Sequence, residues 1–98
     1  MRPPVATEIL EETDGRSPAA KAMGLSSDDC AALRRHAMRL EANADWALAL
    51  DAYRMAAVID PLSPNNWFGL ARCYRRIGDA HTAARVEECG RVIQEKLT

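Results

Sequence analysis

The chain has 98 residues, enough for one domain near the lower size limit for an adequate hydrophobic core. With 48% apolar, 28% charged and 5% aromatic residues and a net charge of −1, its composition is that of a folded, alanine-rich helical protein. That excludes a disordered chain and argues against nucleic acid as a partner. No stretch of about 18 apolar residues is present, and "MRPPVATEILEETDG" lacks the apolar centre of a secretory signal, so the expectation is a cytoplasmic protein with no membrane association.

Taken in chain order, residues 1–26 read as an N-terminal extension, partly flexible, with short helices in "VATEILEE" and "SPAAKAMG" separated by "TDGRS". Ser17 is placed to cap the second of these and Gly24 to stop it. Residues 27–98 then read as one helical domain. In "GLSSDDCAAL", Ser26 or Ser27 starts a helix, and Asp28 and Asp29 fall in the first turn, where the helix dipole favours negative charge. Apolar periodicity predicts helices near 28–42, 45–59, 64–76 and 79–96. Asn43 or Ala44 must turn the chain after the first of these. Pro61 and Pro64 end the second and open the third, with Ser63 as its N-cap. Gly78 follows a last turn holding Arg75 and Arg76, so it suits the left-handed C-terminal position while the arginines face the dipole.

The four long helices repeat. A shift of 34 residues lays Leu33 over Trp67, and with it His36, Ala37 and Leu40 over Leu70, Ala71 and Tyr74, Ala44 over Gly78, and Ala49 over Ala83. This is the period of a tetratricopeptide repeat, a helical hairpin that stacks on copies of itself. The expected fold is all-α: two tetratricopeptide-repeat hairpins with a helical N-terminal extension. Small residues at Ala37, Ala49, Ala56, Ala71 and Ala83 allow close approach of the helices, while Trp67, Tyr53 and Tyr74 fill the remaining gaps.

Nothing in the chain assembles into a catalytic constellation, so the reading is a non-enzyme with no cofactor. Cys30, Cys73 and Cys89 have no CxxC or Cys/His spacing suited to zinc and read as small buried thiols. His36 and His81 have no ligand at helical spacing, so no metal site is expected.

In hairpins of this kind the first helix of each pair lines the concave face. Arg34, Met38 and Glu41 share one side of the first such helix, and Asn65, Phe68, Arg72 and Arg75 one side of the other. As a peptide groove, Met38 and Phe68 would anchor apolar groups, Asn65 would meet the backbone of an extended ligand, and the arginines would take acidic side chains or a terminal carboxylate. The bland alternative is a solvated face whose arginines pair with local Glu and Asp. Two hairpins are fewer than the three such arrays usually need, and Val86, Val92, Ile93 and Leu97 on the last helix await a cover: the N-terminal segment, a second copy in a homodimer, or another protein. Glu87, standing where Tyr53 stands in the first hairpin, marks either a solvated end or a contact with a partner's base.

The run "LSSDDCAAL", the following helix pair and "PLSPNNWFGLARCYRRIGD" resemble the small tetratricopeptide-repeat chaperones of bacterial type III secretion that hold translocator proteins before export. The likeness spans roughly residues 8 to 93 and includes an aromatic followed by Gly-Leu-Gly/Ala-x-Cys, here Phe68, Gly69, Leu70, Ala71 and Cys73. It implies a non-catalytic chaperone that holds a secretion substrate or small secretion component. The chain departs from those chaperones in having two repeats rather than three, and in carrying Arg34, Met38 and Glu41 where they turn aromatic side chains into the groove. A structural adaptor subunit in a permanent homo- or hetero-oligomer is the alternative.

Overall fold

The computed structural model describes residues 17–97, which form five helices: α1 (Pro18–Ala22), α2 (Ser27–Ala42), α3 (Trp46–Ile59), α4 (Pro64–Arg76) and α5 (Ala80–Leu97). No strand occurs among the described residues. The helix expected in "VATEILEE" lies outside them.

The helix starts follow local chemistry. Ser17 is extended and its hydroxyl accepts from Ala20 N at 3.1 Å, with Pro18 in the first helical turn. Ser26, not Ser27, caps α2: its Oγ accepts from Asp29 N at 3.1 Å while Ser26 N donates to Asp29 Oδ2 at 2.8 Å, a reciprocal capping box. The hydrogen bonds from Ser26, the backbone one first, hold the Asp29 carboxyl below its ordinary range. Asp79 Oδ1 likewise accepts from Thr82 N at the start of α5. Ser63 departs from expectation. It stands in the N-cap position of α4, but its side chain makes no cap bond; the hydroxyl accepts from Arg34 Nη1 at 3.2 Å instead.

Three helices end in the same Schellman turn. After α1, Gly24 N donates to Lys21 O and Leu25 N to Ala20 O. After α2 the donors are Ala44 and Asp45, to Glu41 O and Leu40 O, and after α4 they are Gly78 and Asp79, to Arg75 O and Tyr74 O. The last two turns stand in the 34-residue register bond for bond. Gly24, Ala44 and Gly78 supply the required positive φ, at 71°, 61° and 92°. Alanine pays a steric cost there that glycine does not.

From α2 onward each helix packs on the next, α1 reaches α3 and α2 reaches α4. The result is two hairpins, α2/α3 and α4/α5, laid side by side in a body 49 × 27 × 20 Å. The core runs through both, with Ala37, Ala49, Leu50, Tyr53, Ala57, Leu70 and Cys73 buried and Leu40, Trp67, Tyr74 and Val86 packed around them. Alanine acts as a spacer: Ala37, Ala49 and Ala83 are completely buried, at positions where a larger residue would hold the axes apart. At Gly69 the approach leaves no room for a side chain: a Cβ would stand 2.3 Å from the Tyr53 ring.

The two ends differ. Ala20, Cys30 and Ile59 form a second buried cluster with Leu25 and Leu33, and the Ser17 hydroxyl donates to Ile59 O, so α1 seals the first hairpin. Beyond α5, Val92 and Leu97 are exposed. Cys30 and Cys73 are buried as expected, and burial pushes the Cys73 thiol up to about 11. Cys89 is exposed, because it lies on the side of α5 that no described element covers.

Candidate functional site

Two adjoining hollows form a trough between α2 and α4. The first, about 270 Å³, is lined by Arg34 and Met38 from α2, Asn65 and Arg72 from α4, and Tyr53 from α3. The second is lined by Glu41, Trp46, Arg72, Arg75 and Arg76. Helical spacing places these residues: 34, 38 and 41 follow one stripe of α2, and 65, 72, 75 and 76 one stripe of α4. Arg72 belongs to both hollows and divides them.

A polar triad closes the floor. Arg72 grips Glu41 through both arms, Nε to Oε2 at 2.5 Å and Nη2 to Oε1 at 3.0 Å, and the Tyr53 hydroxyl donates to the same Oε1 at 2.7 Å. These bonds tie α2, α3 and α4 together, and the fork geometry is the strong form of a guanidinium–carboxylate contact. The Glu41 side chain is only 17% exposed. The hydrogen bonds from Arg72 hold its carboxyl below the ordinary range against the opposing effect of burial. Burial first, and then the Glu41 carboxylate, push the Tyr53 hydroxyl up to about 12.

Of the seven residues singled out from the sequence, Arg34, Met38, Asn65 and Arg72 line the first hollow, and Glu41, Arg72 and Arg75 the second. Phe68 lines neither. Its half-buried ring lies across Gly90 of α5, where a Cβ would stand 2.7 Å from it, so it joins α4 to α5. Glu41 is turned inward to Arg72, and Arg75 pairs with Glu87. Two of the arginines thus meet carboxylates of their own chain, as the solvated-face alternative anticipated, and Glu87 finds its base within the chain. Met38 is 51% exposed and open to a ligand. Asn65 is exposed, while its neighbour Asn66 is buried and donates through Nδ2 to Ala56 O and Asp60 O, both at 3.1 Å. One asparagine of the pair holds the last turn of α3; the other is left for the trough.

Three trough residues escaped the sequence reading. Tyr53 was read as a gap filler, and its hydroxyl is what reaches Glu41. Trp46 and Arg76 form a pair, the guanidinium carbon 5.0 Å from the ring centroid. The available signal was a tryptophan opening one helix and an arginine in the last turn of the next, two ends that antiparallel packing brings together.

A second surface lies on the other side of Trp67, whose Nε1 donates to Pro61 O at 2.8 Å. One hollow there is lined by Ala57, Val58, Pro61, Leu70, Tyr74 and Val86 with Arg54 at its rim, and an adjoining one of about 330 Å³ by Cys89, Val92, Ile93 and Glu88. Both are largely apolar.

Among the described residues no group of three His, Cys, Asp or Glu side chains is placed to hold a metal ion, and no helix is long and apolar enough to cross a membrane. Comparison of the chain with known protein families, curated proteins and solved structures finds no match.

Proposed function

We propose that α2/α3 and α4/α5 are two tetratricopeptide repeats and that the protein is a non-catalytic binding protein, a cytoplasmic chaperone that holds a type III secretion substrate or component before export. The repeat reading is supported by the two Schellman turns, which recur 34 residues apart with the same four donors and acceptors. The binding role rests on one observation: the trough keeps Arg34, Met38 and Asn65 available at its surface while the Glu41–Tyr53–Arg72 triad holds its walls at fixed separation. A rigid hollow lowers the ordering cost of capturing an extended chain.

The test is mass spectrometry of what stays bound to the intact protein, followed by the same measurement on an Arg34→Gln, Met38→Ala double variant. Arg72 and Phe68 are left unchanged because both hold helices together. The expected result is a single small protein bound by the wild type and lost by the variant, with circular dichroism unchanged. A wild type that stays monomeric and free of any partner would overturn the proposal.

The apolar surface beside Trp67 favours a second reading, a structural subunit that stays in a permanent assembly. A chaperone releases its partner when export begins; a structural subunit keeps it. Pulse-chase of the bound complex separates the two.

A further inference from the structure

The inference that follows rests on the trough's being the binding surface, and it concerns the chemistry of what fills it. Four guanidiniums, those of Arg34, Arg72, Arg75 and Arg76, line the two hollows, against one lining carboxylate, Glu41. Arg72 is neutralised by Glu41 and Arg75 by Glu87. Arg34 and Arg76 have no carboxylate within ion-pair distance among the described residues. Arg34 donates to the Ser63 hydroxyl, with Asp60 near enough to feel its charge but not paired with it, and Arg76 lies over the Trp46 ring, with Glu41 near enough to feel its charge but hydrogen-bonded to Arg72 instead. A chain of net charge −1 therefore keeps two guanidiniums without a paired carboxylate among the described residues, at opposite ends of one trough.

Their separation can be read from the helix. Arg34 sits at Ser63, just before α4, and Arg76 is the last residue of α4. At about 1.5 Å of rise per residue these points lie roughly 20 Å apart, which an extended chain crosses in about six residues at 3.3 Å each. Between them lie half-exposed Met38, the Tyr53 ring and the Asn65 amide. We propose that the trough takes an extended acidic peptide with two carboxylates about six residues apart, one on Arg34 and one on Arg76, and small side chains between them. The planar guanidinium forks suit carboxylates, Met38 gives an apolar contact, and Asn65 supplies donor and acceptor to the ligand's backbone. A nucleic acid strand fits less well. It would bring a phosphate about every 3.4 Å of duplex rise, whereas the trough offers guanidiniums without a paired carboxylate only at its two ends.

Fluorescence anisotropy with a labelled peptide Glu-Ala-Ser-Ala-Ser-Ala-Glu, its Gln-ended counterpart and a uridine oligonucleotide tests this on the intact protein. The expected result is at least about tenfold tighter binding of the Glu-ended peptide, weakened about tenfold by Arg34→Gln and by Arg76→Gln singly. Arg35→Gln, an exposed position on α2 outside the trough, should leave it unchanged. Circular dichroism checks that each variant is folded. Equal binding of both peptides, or tighter binding of the oligonucleotide, overturns the acidic-peptide assignment. So does no binding of either peptide. If the cellular partner is nonetheless lost on Arg34→Gln, Met38→Ala substitution, the proposed function survives and only the ligand class is wrong.

Discussion

The two hairpins share a turn and differ in what lies between their helices. In the first, Tyr53 is buried against Gly69 of the neighbouring hairpin and donates to Glu41. In the second, the equivalent residue is Glu87, paired with Arg75 at the surface. Three residues later in the same register, Ala56 is matched by Gly90, over which the Phe68 ring lies. The first hairpin is packed on both sides, by α1 and by α4; the second is packed on one. The same local sequence pattern therefore buries an aromatic where a neighbour covers it and carries a charge where none of the described elements does.

The sharpest test of this contrast is a methyl group placed at each helical glycine. In Gly69→Ala the new Cβ meets the Tyr53 ring at 2.3 Å, and that ring is 1% exposed and hydrogen-bonded, with nowhere to go. A loss of about 3 kcal/mol is expected from overpacking, read as a fall in urea midpoint. In Gly90→Ala the obstacle is the half-buried Phe68, which can swing outward, and the gain in helix propensity, about 1 kcal/mol, offsets most of the strain. The midpoint should barely move. Equal effects at the two sites would break the comparison.

Next in size is the hydroxyl. Tyr53→Phe leaves Glu41 short of one donor and should cost about 1.5 kcal/mol, measured by thermal unfolding. The positive-φ turns should give opposite signs. Ala44→Gly relieves strain and Gly78→Ala introduces it, each by about 1 kcal/mol, so exchanging the two residue types between hairpins should roughly cancel in a double variant.

The pH dependence follows the same division. The Tyr53 hydroxyl is pushed up from 10.0 to about 12. Between those values the unfolded chain has lost this proton and the folded one has kept it, so stability, complete below pH 10, falls as pH rises through the window. Tyr53→Phe should flatten that alkaline limb. Glu41 runs the other way: its carboxyl is lowered from 4.5, so its contribution is present above that value and is lost as pH falls through the folded pKa. The smallest effect is expected at Glu87→Gln, an exposed pair whose removal should leave the melting temperature where it was.

Much of this architecture was legible before any coordinates. The helix ends at Ala42, Ile59 and Arg76 follow from Ala44, Pro61 and Gly78, because a backbone that must turn or lacks an N–H ends a helix whatever packs around it. Ser26 was legible as a cap because the capping box is local. Ser63 looked equally good and makes no cap bond, since its hydroxyl is claimed by Arg34, 29 residues away. The trough was legible in its stripe and not in its pairing. Side-chain spacing placed Arg34, Met38, Asn65 and Arg72 together, but gave no way to know that Phe68 rotates toward Gly90 or that Arg75 reaches Glu87.

What the sequence alone determined is whatever depends on bonds spanning a turn or two: the helices, the Ser17 and Ser26 caps, the left-handed residues between helices and the 34-residue period. Tertiary structure decided which charges cancel. Arg72 and Glu41 are 31 residues apart along the chain and 2.5 Å apart in space, and only the packing of one hairpin on the other determines that this pair forms while Arg34 and Arg76 have no paired carboxylate among the described residues. Local conformation has a short range along the chain, whereas electrostatic compensation depends on distances that the fold creates.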